Sequence, residues 1–374
     1  MKRLLLTCLL LAAFVGDAAA ARPKLPSKYR WYTPSYRQRG ALRQIRYDDP
    51  MDLRIGFADT TGRVVIAPRY EKVTAFYAGR AVVSEKRADK QELWGMIDTT
   101  GREVVPCLWT DLWPPCDGLV RAQRGKGEEA RFGYLDLEGR EAIPVRYTEA
   151  TDFRNGEAAV RLEEGLAGWI DRTGTPLRPF VHNRVRRFYN GLAVVGIEGK
   201  YYMKYGVVDR AGNERIPMRY YSFNGFSEGR AVVSRIIGGK PQYGQVDTLG
   251  REVVPLEWDY VSSYSDGMYW VGKGEYPNCI YRLLDGTGKP VHDYLFYDLN
   301  DSGSHGHVSA AIRLPDGTLR YGVLGRRGKV VLPFRYEQVT IFTERQEDGT
   351  EADRVSAVFE GETVSYQLLF TKEP

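Results

Sequence analysis

Histidine and cysteine are scarce in this 374-residue chain, with four of each. The cysteines form no CxxC pair, which removes the usual spacing of a structural zinc site. GxSxG, HExxH and a Gly-rich loop opening a helix are also missing, so the common marks of a serine hydrolase, a zinc peptidase and a phosphate cradle are absent. No apolar run reaches the roughly 20 residues that span a bilayer as a helix. Charge of one sign is lacking too. The net charge is +5, but residues 21–40 carry six basic residues and no acid, and residues 41–374 sum to −2. A nearly neutral body with a short basic leader lacks the broad positive surface that phosphate backbones require, which argues against nucleic-acid binding.

The residues that are present point to strands, turns and export. Hydrophobic residues make up 43% of the chain, enough for a packed core. Forty Gly, 19 Pro and 25 Tyr favour short strands and many turns. Lys2-Arg3, the apolar run from Leu4 to Val15, and Ala18-Ala19-Ala20 compose a secretory signal peptide over residues 1–20, with cleavage after Ala20. Thr7 stands before Cys8 where a lipoprotein signal wants a small residue, so a cleaved signal of bacterial style is expected. No transmembrane anchor is expected after its removal. The expected location is the bacterial periplasm, the cell surface or the medium. Of the remaining cysteines, Cys107 and Cys116 are placed to bridge the ends of one loop; the alternative is that they and Cys279 are small buried hydrophobes. Residues 21–40 form a basic, Pro- and aromatic-containing leader, either a flexible arm or a lead-in strand packing Trp31 and Tyr32 on the first repeat unit.

Residues 41–370 read as a single repeat array. The phrases IGFADTTG, WGMIDTTG, FGYLDLEG, AGWIDRTG, YGVVDRAG, YGQVDTLG, YRLLDGTG and YGVLGRRG place an acid at Asp59, Asp98, Asp136, Asp171, Asp209, Asp247 and Asp285, with Gly325 in the eighth copy. Successive spacings are 39, 38, 35, 38, 38, 38 and 40. Each phrase is followed by a β-branched stretch ending in Pro, as in REVVP (102–106) and NERIP (213–217). An aromatic-tipped segment such as Arg69-Tyr70 comes next, and then a Gly that launches a strand such as AVV (81–83).

The phrase resembles the WG-repeat family of bacterial proteins. The literal Trp-Gly occurs at Trp94-Gly95, with Phe132, Tyr205, Tyr243 and Tyr321 in place of Trp elsewhere. The resemblance implies repetitive β structure, frequent export and binding roles. The residues themselves predict about eight three-stranded meanders of ~38 residues. Asp-x-x-Gly makes the second turn, Pro stops the third strand, and the anchor Gly lets an aromatic ring lie over the backbone. One such unit is marginal alone and needs its neighbours. The fold class is therefore all-β, either a β-propeller-like ring or an open curved β-stack. Ala357 to Phe370 adds a ninth hairpin.

No catalytic, metal or cofactor residue is singled out. The seven aspartates recur because the turn needs them. His305-Gly306-His307, near Asp301, is the one metal-like cluster, and it lacks a third placed ligand. Departures from the repeat are more informative, because a residue required by the fold should recur. They are Val181 to Phe188, Tyr294 to His307 and Glu344 to Asp353, read as a ligand face or as tolerated surface change. The expected function is an exported, non-enzymatic binding or scaffold module for a protein or an envelope glycan. The alternative is a propeller-type carbohydrate-active enzyme, which needs two converging non-repeating carboxylates from a set such as Glu92, Glu128, Glu163 and Glu275.

Overall fold

A computed structural model describes residues 24–32, 41–263, 265–275, 277–300, 306–345 and 351–367. The signal segment, Cys8, Asp301 and His305 lie outside the described residues. Among those described there is no α-helix, and hence no helix long and apolar enough to cross a membrane. The chain is all-β: a tandem array of small antiparallel sheets, the blade-like element from which β-propellers are built. It divides into two compact units. One comprises residues 1–158 and 170–175, and the other residues 159–169 and 176–374.

Among the described residues, five of the eight sheets have four strands rather than the three expected, two have three and one has seven. The second sheet is Lys72–Val73, Arg80–Lys86, Glu92–Asp98 and Glu103–Trp109, hydrogen-bonded in that order. The extra strand is only two residues long. It arises because the chain leaves the edge strand of one sheet at its aromatic tip and immediately pairs with the next sheet: Val64–Tyr70 runs on into Lys72–Val73. The first sheet is completed by Tyr29–Trp31 from the leader, with Tyr29 opposite Tyr47 and Trp31 opposite Ile45. The leader is thus a lead-in strand where it is described, and the Arg46 guanidinium lies 5.0 Å over the Tyr32 ring.

The prolines do not stop the third strand. Pro68, Pro106, Pro144, Pro217, Pro255 and Pro333 all lie inside edge strands, where a ladder N–H is dispensable. They sit in a wide bulge. In the first sheet the partners step from Ile55↔Tyr70 to Phe57↔Ile66, two residues on one strand against four on the other. The same step recurs at Trp94↔Trp109 and Met96↔Val105, and at Tyr243↔Trp258 and Gln245↔Val254.

This bulge explains the anchor glycine, and corrects the expected role of an aromatic ring. A methyl group on Gly56 would lie 2.3 Å from the Ile66 carbonyl oxygen and 2.5 Å from the Pro68 nitrogen. On Gly244 it would meet the Val254 oxygen at 2.5 Å, and on Gly206 the Ile216 oxygen at 2.5 Å. The bulged edge strand presses its backbone onto the glycine. In the fourth copy a ring does so instead, where Phe180 would lie 2.1 Å from a methyl on Gly168.

The core lies between successive sheets. Phe57, Ile66 and Tyr70 of the first sheet cluster with Ala81, Val83 and Ile97 of the second. In the other unit, Val207, Ile216 and Tyr220 cluster with Phe223, Ala231 and Val246. The residue seven beyond the turn aspartate acts as a key from one sheet into the next. A methyl on Gly101 would touch Ile66 at 3.0 Å, on Gly139 Val105 at 2.8 Å, and on Gly250 Ile216 at 3.2 Å.

Candidate functional site

The turn aspartates serve the fold. In the first copy Asp59 Oδ1 accepts from the Thr61 N–H at 2.8 Å, the Thr61 hydroxyl at 2.6 Å and the Arg63 N–H at 3.1 Å. The Asp59 carbonyl accepts from the Gly62 N–H, and Gly62 has φ +87°. This three-residue loop with Gly in the left-handed region closes a hairpin with a bulge. At Asp98 the Thr100 hydroxyl is the largest influence, opposed in part by desolvation. Together with the Thr100 N–H and Arg102 it holds the carboxyl down at about 2. Asp59, Asp171 and Asp285 are lowered chiefly by the hydroxyls of Thr61, Thr173 and Thr287. Among the described residues no group of three His, Cys, Asp or Glu side chains is arranged to hold a metal.

The irregular segments fare differently. Val181 to Phe188 supplies the short strand Arg184–Val185. Its Arg186 carbonyl accepts from Trp169 Nε1–H at 3.1 Å, and Phe188 lies 4.6 Å from the Trp169 ring. The patch holds the repeat together. Glu344 to Asp353 does not form a separate loop where it is described. It lengthens the first strand of the last sheet to Gln338–Arg345, paired with Glu351–Phe359. There His307 Nδ1 lies 2.8 Å from Asp353 Oδ2, Thr343 donates to Asp353 Oδ1 at 2.9 Å, and Asp353 is fully buried. His307 is therefore held by a buried carboxylate. Cys107, Cys116 and Cys279 are free, so no bridge joins the first two. Burial, followed by the nearby charges of Glu85 and Glu103, pushes the Cys107 thiol up to about 12.

Copy seven breaks the array. Arg282 occupies the anchor Gly position, opposite Val271, and its exposed side chain leaves no seat for a bulged edge strand. The strand after the turn is lost, reduced to a bridge between Leu284 and Pro290. Phe296–Asn300 pairs in its place, through Tyr281↔Phe296 on one side and with Val308–Arg313 on the other. Two sheets thereby fuse into one of seven strands.

A cavity of about 510 Å³ opens at this fusion, within the second unit. Trp270, Leu283, Leu299, Val308 and Leu324 contribute apolar surface. Ser262, Ser263, Ser265 and Asp266 line it from one loop, and the turn Gly325 to Gly328 lines it from another. Two positions of the repeat shape it. Arg80 and Arg230 reach across to the next sheet's turn, donating to the Leu137 and Gly286 carbonyls at 2.6 and 2.9 Å. Met268 takes that position here, as Leu119 and Leu192 do in two other copies. The facing turn has exchanged its aspartate for Gly325; Arg326 follows, at a position that is also Arg in copies four and five (Arg172, Arg210), and then Arg327 at φ +53°. Arg326 Nε lies 4.0 Å from Asp266 Oδ2. His292, at the key position that is aliphatic in most copies, donates from Nε2–H to the Gly328 carbonyl at 2.6 Å and fastens this turn.

The four carboxylates considered for catalysis are not at this cavity. Glu92 is bound to Ser84 at 2.7 Å and to Lys72 at 2.9 Å, and Glu275 is paired with Lys240. Of acidic residues the cavity is lined by Asp266. Sequence reasoning missed Ser262, Ser263, Ser265, Trp270, Arg326 and Arg327. The signal that could have found the arginines was the loss of the turn aspartate in copy eight.

The structure defines a tandem-repeat β protein whose one phrase is both its turn and its sheet-to-sheet joint. The family model described as WG containing repeat matches residues 55–86, 94–126, 132–165, 168–201, 205–239, 243–276 and 321–344. These matches cover more than half of the chain, which therefore belongs to the WG containing repeat family. The matches pass over the seventh copy, where Arg282 replaces the anchor glycine. No curated protein matches the chain. Among solved structures it is similar to a puromycin hydrolase S511A mutant, at 12% identity and TM-score 0.31, covering 75% of this chain and 57% of that one. It is also similar to oligopeptidase B from Leishmania major, at 10% and 0.36, covering 76% and 52%. The WD40 domain of Toxoplasma gondii coronin matches at 13% and 0.32, covering 66% and 77%. The chain thus spans little more than half the length of the two hydrolases.

Proposed function

We propose that the protein is an exported, non-enzymatic binding module that holds its ligand at the cavity between the seventh and eighth copies. The observation that carries this reading is the coincidence of two departures: Arg282 for the anchor Gly, and Gly325 for the turn Asp. Residues demanded by the fold recur from copy to copy, and these do not. A volume of about 510 Å³ with mixed polar and apolar lining falls in the range of small-ligand sites. Export rests on Lys2-Arg3, the apolar run to Val15 and Ala18-Ala19-Ala20. The carbohydrate-active enzyme reading has less support, because glycoside hydrolysis uses two carboxylates flanking one bond and the cavity lining supplies Asp266.

The test has two arms. N-terminal sequencing of the protein recovered outside the cytoplasm of an expressing bacterium should begin at Ala21; a protein found only in the cytoplasm with Met1 retained would overturn export. Binding to a panel of purified envelope glycans and secreted proteins should be saturable, and weakened at least tenfold by Arg326→Ala combined with Arg327→Ala. Trp31→Ala and Arg186→Ala should leave affinity unchanged, since these residues serve the first sheet and the Trp169 contact. Binding lost with Trp31 and indifferent to Arg326 and Arg327 would place the ligand face elsewhere.

A further inference from the structure

We propose that the last sheet pairs edge to edge with the same sheet of a second copy of this chain, through the strand Glu362–Gln367. The proposal goes beyond the binding-module reading and does not depend on it.

This edge is built unlike the others. Among the described residues six of the eight sheets end on an edge strand with a proline inside it, from Pro68 in the first sheet to Pro333 in the seven-stranded one. A proline leaves a gap in the row of N–H donors and so discourages pairing with another chain. Glu362–Gln367, the outer strand of the last sheet, has none. Its anchor position has changed as well. In the second sheet Val73 faces Val83, which faces Gly95; in the last, Val339 faces Ala357, which faces Val364. Val364 thus stands where the array has glycine, and its side chain fills the seat of a bulged proline strand. Copy seven shows what such an edge accepts. With Arg282 at the anchor, the strand that pairs there is Phe296–Asn300, which carries no proline and joins two sheets into one. At Val364, among the described residues, no further strand of the chain is paired.

The backbone groups at this edge can be placed. The Glu337 N–H donates to the Val358 carbonyl at 2.8 Å, so Val358 turns its backbone toward Gln338–Arg345. Its partner on the other side, Thr363, therefore turns its own N–H and C=O outward, and Ser365 two residues on does the same. Thr363, Val364 and Ser365 are all exposed.

A second copy meets these groups in register. Antiparallel pairing about a two-fold axis at Val364 sets Thr363 against Ser365 of the second copy, where the two exchange both backbone hydrogen bonds, and symmetry repeats the pair. The two Val364 residues then face each other, and Glu362 faces Tyr366. That last pair is complementary in charge. Arg335 Nη2 donates to the Tyr336 hydroxyl at 3.2 Å, which lies 3.0 Å from the Tyr366 hydroxyl, so the guanidinium stands near Tyr366. The equivalent arginine of the first sheet, Arg69, is paired with Glu85 and Glu103. Phe359 takes the place of Glu85 in the last sheet, with Arg335 5.3 Å over its ring, and among the described residues Arg335 has no carboxylate partner. Glu362 of a second copy supplies one, which a foreign strand need not do.

The experiment is sedimentation velocity of the full-length mature protein over a range of concentrations, joined to oxidative cross-linking of Val364→Cys in a Cys116→Ser background. A monomer–dimer equilibrium is expected. Val364→Lys sets like charges across the axis and Ser365→Pro removes an outward N–H, so each should weaken the dimer at least tenfold. Near-UV circular dichroism checks that each variant keeps its fold. Facing residues that do not exchange hydrogen bonds have Cα atoms about 4.5 Å apart, within disulfide reach. Val364→Cys should therefore cross-link to itself much faster than Glu362→Cys, as read by peptide mass mapping. A dimer untouched by both substitutions, or one that cross-links faster at Glu362→Cys, would overturn the inference. So would a monomer at every concentration: free exchange of the Thr363 and Ser365 amides would then leave the edge to a strand of another protein, and protected amides would show it covered from within the chain.

Discussion

Replacing Gly244 with alanine tests the central packing argument. The added methyl would lie 2.5 Å from the Val254 oxygen, 2.8 Å from the Pro255 oxygen and 2.9 Å from the Pro255 carbonyl carbon. All three are backbone atoms, so no side-chain rotation relieves the contact. The edge strand Glu252–Trp258 must retreat, which strains the Tyr243↔Trp258 and Gln245↔Val254 pairs on either side of the glycine. Overpacking costs about 1–3 kcal/mol and each weakened ladder hydrogen bond about 1 kcal/mol. The smaller entropy of the unfolded alanine chain returns about 0.4–1 kcal/mol. The expected net loss is about 2–3 kcal/mol. Gly225 is the control: it has no heavy atom within 4 Å of a built methyl and no left-handed backbone, so Gly225→Ala should be neutral or slightly stabilising. Urea unfolding followed by tryptophan fluorescence reads the stability, and amide exchange over residues 252–258 reads the edge strand directly. A Gly244→Ala protein with an unchanged midpoint and unchanged exchange would refute the close-approach account. Equal destabilisation by both substitutions would do the same.

Three further outcomes are expected from the same geometry. The carboxyl of Asp98 is lowered in the fold, so its contribution is present above its ordinary value of 3.8 and is lost as pH falls toward about 2; thermal melts from pH 5 to 2 should show a falling midpoint, and Asp98→Asn should flatten that fall, whereas an identical pH profile in the variant would contradict the assignment. Cys107, held up to about 12 chiefly by burial, should resist alkylation by iodoacetamide at pH 8 until urea is added, as judged by peptide mass mapping; native-state labelling as fast as in urea would be the contrary result. His292→Leu should lower stability by about 1–3 kcal/mol by stranding the Gly328 carbonyl, with His292→Gln restoring part of it, and nitrogen NMR of the wild type should find the proton on Nε2.

Much of the fold was legible because one physical necessity is written eight times. Asp-x-x-Gly is readable as a turn in a single copy, and repetition at a period near 38 turns it into an architecture. The missed fourth strand has a plain cause. Lys72–Val73 and Asp111–Leu112 are two residues long, too short to show alternation, and they pair with a different sheet from the strand they continue. Local pattern cannot reveal a strand whose partner belongs to the next repeat. The prolines misled for a related reason, since a proline reads as a stop unless the bulge that receives it is known.

The cavity was legible only by subtraction. The position seven beyond the turn residue is Ile66, Val105, Ile143, Ile216, Val254 and Leu332 in six copies, but Arg178 in the fourth and His292 in the seventh. Both exceptions do one thing: Arg178 donates to the Asp209 carbonyl at 3.1 Å and His292 to the Gly328 carbonyl at 2.6 Å. An aliphatic key holds the next turn by packing alone, which suffices where the sheets are regular. A hydrogen-bonding key fixes one carbonyl and so sets the turn's position where the regular packing fails. The fourth copy has lost the backbone seat on Gly168 to the Phe180 ring, and the seventh has lost its anchor glycine altogether. In the fourth copy the result is a filled stack, with Arg178 5.5 Å from Trp169 and Arg210 4.8 Å from Phe188. In the seventh it is an open space faced by Arg326 and Arg327. The same repair therefore has two consequences. In the fourth copy the guanidinium groups cover the Trp169–Phe188 pair. In the seventh the rings of Tyr294, Phe296 and Phe334 pack with one another beside His292, and the space at the turn stays open.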